Sequence, residues 1–325
     1  MNPEAVFSIQ NDTQFESEAL RIFELQYQNN PVYRRFCELI GREVASVKGL
    51  NDIPFIPIEF FKSQEILTGN DPVEQVFTSS GTTGTATSRH LVTDLKIYEE
   101  SFNRGYAYFY GDIKEYVVLA LLPSYLERTG SSLIYMVDAL IRSSGDPDSG
   151  FYLHNLDDLA AKLKVLDRSG KKVLLIGVSF ALLDLVESFN FQLNKTIIME
   201  TGGMKGRRKE LIREELHNIL KKGFGVDHIH SEYGMTELLS QAYSTGDGTF
   251  SCPPWMKVKI RDTGDPFTWL PEGRTGGISV IDLANINSCS FIATQDLGKL
   301  LPDGRLEILG RFDNSDIRGC NLLVT

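Results

Sequence analysis

Between Tyr116 and Ile229 the chain alternates short apolar runs with amphipathic stretches, and this pattern leaves few folds open. The runs YVVLALL (116–122) and KVLLIGV (172–178) carry almost no polar positions, so neither reads as a strand with one face in water. Ser131–Ile141 and Leu156–Leu166 between them place apolar residues at helical spacing, and Gly170 lies just past the second. The alternation continues through a strand at Thr196–Met199 and another at Val226–Ile229. The intervening helices are expected over Ala181–Phe189 and Lys205–Lys222, the latter with Ile212, Leu216, Ile219 and Leu220 on its inner face. Short buried strands separated by helices predict an α/β fold with a mostly parallel sheet covered by helices on both faces.

The flanking segments differ. Phe15–Tyr27 has helical spacing, and Leu95–Tyr110 reads as a helix with Leu95, Tyr98, Phe102 and Tyr106 on one side. In IPFIPIEFFK, Pro54 and Pro57 argue against a regular ladder. Val73–Thr78 reads as a strand. Past Thr249, strands are expected at Met256–Arg261, Gly277–Asp282, Phe291–Ala293 and Leu306–Leu309. The expected division is an α/β core over residues 1–250 and a β-rich portion over 251–325 packed on it.

A formal net charge of -10 argues against a nucleic-acid binder, whose footprint is a basic patch. The N-terminus lacks the basic start and apolar stretch of a signal peptide. The apolar run Val173–Val186 is interrupted by Ser179 and Asp184 and is too short to span a bilayer. Cys37, Cys252, Cys289 and Cys320 lack metal-site spacing, so a reduced, cytoplasmic protein is expected.

Three segments carry chemistry. The run Thr78, Ser79, Ser80, Gly81, Thr82, Thr83, Gly84, Thr85 combines hydroxyls with glycines that permit close backbone approach, a combination suited to phosphate oxygens. It is no Walker A loop, because no Gly-Lys-Ser/Thr follows. A solvated turn has the same composition. The second segment is Glu232-Tyr233-Gly234-Met235-Thr236-Glu237, expected directly after the Val226 strand. Tyr233 could stack on a base, Thr236 could touch a phosphate and Glu237 could hold Mg²⁺, which prefers oxygen ligands and substrate phosphates. The plainer alternative is a helix start that Glu237 favours electrostatically. The third segment pairs Asp296, in TQDLG, with Arg311, in GRFD. An Asp can accept from both ribose hydroxyls and an Arg can bind ribose or phosphate, but a surface ion pair would use the same residues.

Together these segments resemble the adenylate-forming (acyl/aryl-CoA ligase) superfamily. TSSGTTGTATS is similar to its signature loop, EYGMTE to its aromatic-Gly-x-Thr-Glu motif, TQDLG to its Thr-Gly-Asp-Leu-Gly segment with Gln295 in place of Gly, and GRFDNSDIRG to its hinge motif. Within the superfamily the chain resembles most the LuxE acyl-protein synthetase family, through IPFIPIEFFK, SSGTTG, TGGMKGRRKE and EYGMTELLSQAY. The resemblance implies a large adenylation domain with mostly parallel sheets, a β-rich C-terminal portion and no small C-terminal lid domain. It implies ATP and Mg²⁺ as cofactors, a fatty acid as substrate, and a reductase or transferase as protein partner. Thr78–Gly84, Tyr233, Gly234, Asp296 and Arg311 would bind ATP, while Thr236 and Glu237 would act in catalysis. His230, Gly202 and Gly203 are candidates for the acyl pocket, and His228 and His230 would share a strand face. The thiol of Cys320, beside Arg318 and Gly319, would accept the acyl group. Two departures stand out: Arg89 where most superfamily loops carry Lys, and no C-terminal-domain lysine, so that either Lys205 or Arg207 would have to compensate or activity would be slow. A ligase that acylates CoA or a carrier protein, of the phenylacetate-CoA ligase type, and a non-catalytic nucleotide-binding subunit are the competing readings.

Overall fold

The computed structural model describes residues 3–79, 87–123, 130–153, 155–202, 208 and 211–311. In chain order its strands are β1 (Ile56–Pro57), β2 (Gln75–Thr78), β3 (Arg89–Val92), β4 (Tyr116–Leu121), β5 (Gly150–Tyr152), β6 (Lys172–Val178), β7 (Thr196–Thr201) and β8 (His230–Tyr233). They continue as β9 (Ala242–Ser244), β10 (Thr249–Phe250), β11 (Met256–Arg261), β12 (Gly276–Asp282), β13 (Phe291–Leu300) and β14 (Leu306–Arg311).

One sheet has the order β5-β4-β6-β7-β8-β9, parallel throughout except for the antiparallel edge strand β9. Every residue of β4 is buried, as is all of β6 except Lys172, as expected of strands with helices on both faces. The second sheet runs β10-β14-β13-β12-β11 with antiparallel neighbours, and β1 joins β13 in parallel. β2 and β3 form a separate antiparallel hairpin.

The helices at 12–29 and 31–39 pack against the second sheet, although more than two hundred residues separate them in sequence. Gln26 is fully buried, donates to the carbonyls of Asn285 (3.0 Å) and Ile286 (2.9 Å), and accepts from the amide of Ser290 (3.0 Å). Tyr33 stacks on Phe291 with centroids 6.1 Å apart.

Several expected elements move. IPFIPIEFFK contributes to a ladder after all: Pro57 occupies a position that needs no N–H, and Ile58 donates to Ala293 instead (3.0 Å). The strand expected at Val226–Ile229 lies at His230–Tyr233, because the preceding helix runs to Phe224 and Gly225 ends it in the left-handed region (φ 67°). That helix is described from Arg213. Leu216, Leu220 and Phe224 form its buried stripe, while Ile212 and Ile219 are exposed, contrary to expectation. Lys205 and Arg207 lie outside the described residues. β13 runs seven residues beyond Ala293 because a bulge at Leu297/Gly298 lets the ladder continue through TQDLG.

Gly223 lies where the helices at 179–188 and 213–224 meet. A Cβ there would sit 2.4 Å from Cβ of Val186. Gly223→Ala is therefore expected to destabilise the fold by about 1–3 kcal/mol through overpacking, despite the better helix propensity of alanine. Urea unfolding checks this: a lower midpoint at unchanged slope is the expected result.

Candidate active site

The β2–β3 hairpin carries the Ser/Thr/Gly loop. Its neck is closed by two bonds between Ser79 and Ser88: the Ser79 amide donates to the Ser88 carbonyl (3.1 Å), and the Ser88 amide to the Ser79 Oγ (2.9 Å). Thr78 is fixed from the other side, its amide donating to the carbonyl of Gly130 (2.8 Å), whose φ of 90° suits glycine. Ser80, Gly81, Thr82, Thr83 and Gly84 lie outside the described residues, as do Gly203, Cys320 and its neighbours Arg318 and Gly319. Arg89, at the start of β3, is exposed and lies 3.5 Å from Glu65.

The neck leads to the EYGMTE segment. Glu232 and Tyr233 are the last residues of β8, rather than residues following a strand, and no helix starts after them. Residues 234–241 form a turn held mainly by side chains from elsewhere. Asp282, fully buried at the end of β12, accepts from the amides of Leu239 (2.7 Å) and Ser240 (2.9 Å) and from the Ser240 hydroxyl (2.6 Å). Asn285 donates to the carbonyl of Glu237 (2.8 Å), and His90 on β3 contacts the carbonyl of Thr236 (2.8 Å).

Glu237 is 5% exposed. Burial raises its pKa, opposed by a hydrogen bond from Ser88 at the loop neck and by the positive charges of Arg311 and Lys62. Such a carboxylate lacks a full counter-charge and is disposed to take a cation. Among the described residues no group of three or more His, Cys, Asp or Glu side chains could hold a metal ion. A Mg²⁺ that uses one carboxylate and completes its shell with substrate phosphates and water fits this donor set.

The Asp296–Arg311 pair is also assembled. Asp296 on β13 and Arg311 at the end of β14 are direct cross-strand partners, with Arg311 Nε 3.1 Å from Asp296 Oδ1. The phenol of Tyr233 donates to Asp296 Oδ2 (2.8 Å). Asp296 is buried while the Arg311 side chain is 77% exposed, so the ion pair itself is worth at most about 1 kcal/mol. The described parts of the three segments thus converge: Ser88 at the loop neck and Arg311 both lower the pKa of Glu237, and Arg311 meets Tyr233 through Asp296.

The acyl-pocket candidates are less tightly joined. His230 opens β8, half-buried, with Nδ1 3.3 Å from the Tyr110 hydroxyl, and burial pushes its pKa down to about 4. His228 precedes the strand and is exposed, so the two histidines do not share a strand face. Gly202 ends β7 with φ 69°. Cys37 is buried in the core, where burial raises its thiol pKa to about 12, as its place on an apolar helix face suggested.

The sequence model described as "Acyl-protein synthetase, LuxE" matches residues 2–119. A "Long-chain-fatty-acid--luciferin-component ligase" of Vibrio harveyi is 28% identical over 97% of this chain and 89% of its own length. This chain is similar to the LuxE acyl-protein synthetases over those residues. Solved structures agree on the fold. An open conformation of 2-hydroxyisobutyryl-CoA ligase, in complex with 2-HIB-AMP and CoA, superposes with a TM-score of 0.70 at 14% identity, over 93% of this chain and 70% of that one. ATP-bound MatB from Rhodopseudomonas palustris gives 0.57 at 19% identity over 75% of this chain, which spans about half (49%) of the MatB chain. No helix among the described residues is long and apolar enough to cross a membrane.

His90, Asp282 and Asn285 were not visible in the sequence, whereas Ser88 is the last residue of the TSSGTTGTATS loop. His90, Asp282 and Asn285 belong to no motif; the one local signal is a histidine inside the otherwise apolar strand end His90-Leu91-Val92. Glu232 was seen only as the first letter of EYGMTE. Its carboxyl folds over Gly234, where a Cβ would come 2.4 Å from Glu232 Oε1, and it accepts from Thr201 Oγ1 (2.5 Å). Gly234 therefore has no room for a side chain without moving that carboxyl.

Burial, with the neighbouring Glu200 adding to it, raises the pKa of Glu232 to about 7, against the Thr201 hydrogen bond. A carboxyl raised in the folded state stabilises below its unfolded pKa, and that stability is lost as pH rises through the folded value. Stability should fall by about 3 kcal/mol between pH 4.5 and pH 7 from this group alone. Glu232→Gln should remove that slope and be more stable than the wild type at pH 8, as urea unfolding across pH would read. A slope unchanged in the variant would contradict the assignment.

Proposed function

We propose that this chain activates a fatty acid with ATP and passes the acyl group to a cysteine thiol. The observation that carries the reading is the convergence of the loop neck, the buried Glu237 and the Tyr233–Asp296–Arg311 group at one place in the fold.

In the first step a carboxylate oxygen of the acid attacks the α-phosphorus of ATP; the bond to the bridging oxygen breaks and pyrophosphate leaves. No protein nucleophile is needed, so catalysis consists of positioning and charge stabilisation. Thr78–Gly84 would surround the phosphates, with Ser79 and Ser88 keeping the loop's two ends together. Asp296 and Arg311 would take the ribose, Tyr233 would orient Asp296, and Gly234 would give the nucleotide close access to the backbone. Glu237 would hold Mg²⁺ with the phosphate oxygens, and the metal would supply charge neutralisation on the pyrophosphate leaving group. Thr236 sits between these groups, its backbone fixed, and its hydroxyl is the candidate donor to a phosphate oxygen. His230, with Gly202 and Gly203, would line the acyl site; a neutral imidazole suits an apolar chain better than a charged one.

In the second step a thiolate sulfur attacks the acyl carbon, the acyl–phosphate oxygen bond breaks and AMP leaves. We assign the thiol to Cys320, where Arg318 would raise the thiolate fraction above the roughly 3% of an ordinary thiol at pH 7. Support comes from the other cysteines: Cys37 and Cys252 are driven to about 12 by burial and Cys289 is likewise raised, so none is a ready nucleophile. A reductase or transferase that takes the acyl group from the thioester is the partner this chemistry calls for.

Pyrophosphate exchange with a panel of carboxylic acids tests the first step, and chain-length preference is its direct product. Glu237→Gln should lower the exchange rate by roughly 10²–10³-fold, the scale for removing one group aimed at developing charge. Wild-type exchange would reduce Glu237 to a structural residue. Cys320→Ser should retain exchange and lose covalent labelling by radioactive fatty acid. Labelling that persists, or free CoA thioester formed at a comparable rate, would move the acceptor to CoA or a carrier protein.

A further inference from the structure

We propose that His90 is a positioning residue for adenylation, holding the Thr236–Glu237 turn against the neck of the phosphate-loop hairpin; this rests on the reading of Glu237 given above.

His90 is fully buried on β3, opposite Phe77, with the ring of Phe61 edge-on at 5.8 Å. Its Nδ1 lies 2.8 Å from the Thr236 carbonyl and its Nε2 lies 3.0 Å from Asn285 Oδ1. The orientation of Asn285 is determined independently, because its Nδ2 donates to the carbonyls of Glu237 (2.8 Å) and Cys289 (2.9 Å). Both nitrogens of His90 therefore face acceptors. Burial pushes its pKa down to about 4, against the pull of Thr236 and Asn285, so at neutral pH the ring has one proton and donates to one of the two at a time.

The strand that carries His90 also carries the lower end of the phosphate loop. Ser88, two residues earlier, opposes the rise in the Glu237 pKa, while His90 reaches the Thr236 carbonyl directly and the Glu237 carbonyl through Asn285. One short segment thus addresses Glu237 from both ends, side chain and backbone. A shift of the hairpin moves the loop and the carboxylate together, and their relative position is what in-line attack on a phosphate requires. His90 itself touches no reacting atom.

The test is pyrophosphate exchange by His90→Ala, Glu237→Gln and the double variant. If His90 acts through Glu237, His90→Ala lowers turnover by about 10–10²-fold with KM for the acid changed less than about two-fold. The double variant then exchanges at the rate of Glu237→Gln alone, because groups that act as a unit are not additive. A purely structural role predicts instead that the two losses multiply. Wild-type turnover in His90→Ala, or multiplied losses in the double variant, overturns the proposal. If His90→Ala does not fold, His90→Phe keeps the ring's volume while removing both polar contacts, and it is judged by the same outcomes. Absence of exchange by the wild type with every acid tried would overturn the adenylation reading and this proposal with it; exchange by the wild type with unaffected variants overturns this proposal alone.

Discussion

The site depends on the burial of polar groups that hold a piece of irregular backbone. Residues 234–241 belong to no helix or strand, yet 237–241 are buried, so their amides and carbonyls need partners from elsewhere. Asp282, Asn285 and His90 provide several of them. Asp282 and Asn285 come from the end of β12 and the turn after it, and His90 from the β2–β3 hairpin, so two separate parts of the chain meet at this turn. Burial raises the pKa of Asp282, and the donors around it act in the opposite direction. Such a network is costly if any member is lost and specific when complete.

That arrangement lets a carboxylate sit where its charge has no full compensation. Glu237 is desolvated, with one hydroxyl and two more distant cations acting against the rise in its pKa. In an inert protein such a group would be a defect. On the function proposed above, Glu237 beside the Ser/Thr/Gly loop would take a cation together with a polyanion. The Tyr233–Asp296–Arg311 group follows the opposite plan, with a buried carboxylate already bonded and an exposed guanidinium left open to solvent on its outer side. One part is held short of charge and the other is pre-satisfied, as the proposed metal–phosphate and ribose roles would require.

The parallel sheet was legible in the sequence because β4 and β6 are buried on both faces, and such strands leave continuous apolar runs. The helix at 95–110 was readable to its ends for a related reason, an unbroken amphipathic pattern capped by Asp94. The strand at 230–233 was misplaced because HSEY has no apolar pattern: its place in the sheet comes from pairing with β7 and β9, while the apolar Val226 and Ile229 belong to the connection before it. Ile212 and Ile219 misled for the converse reason, being apolar residues that the sheet does not reach. Glu237, Tyr233, Asp296 and Arg311 were visible because their chemistry is written in short motifs. His90, Asn285 and Asp282 were not, since they act on backbone groups far away in sequence and a single chain gives no sign of which carbonyl a buried side chain will meet.

In the proposed reaction a carboxylate oxygen of the substrate becomes bonded to the α-phosphorus. The most direct measurement uses a fatty acid labelled with ¹⁸O in its carboxylate, incubated with the protein, ATP and Mg²⁺ and an acceptor thiol, followed by mass spectrometry of the nucleotide products. The account predicts AMP carrying one ¹⁸O atom, with pyrophosphate unlabelled. Label in inorganic phosphate accompanied by ADP, or AMP formed without label, would contradict it.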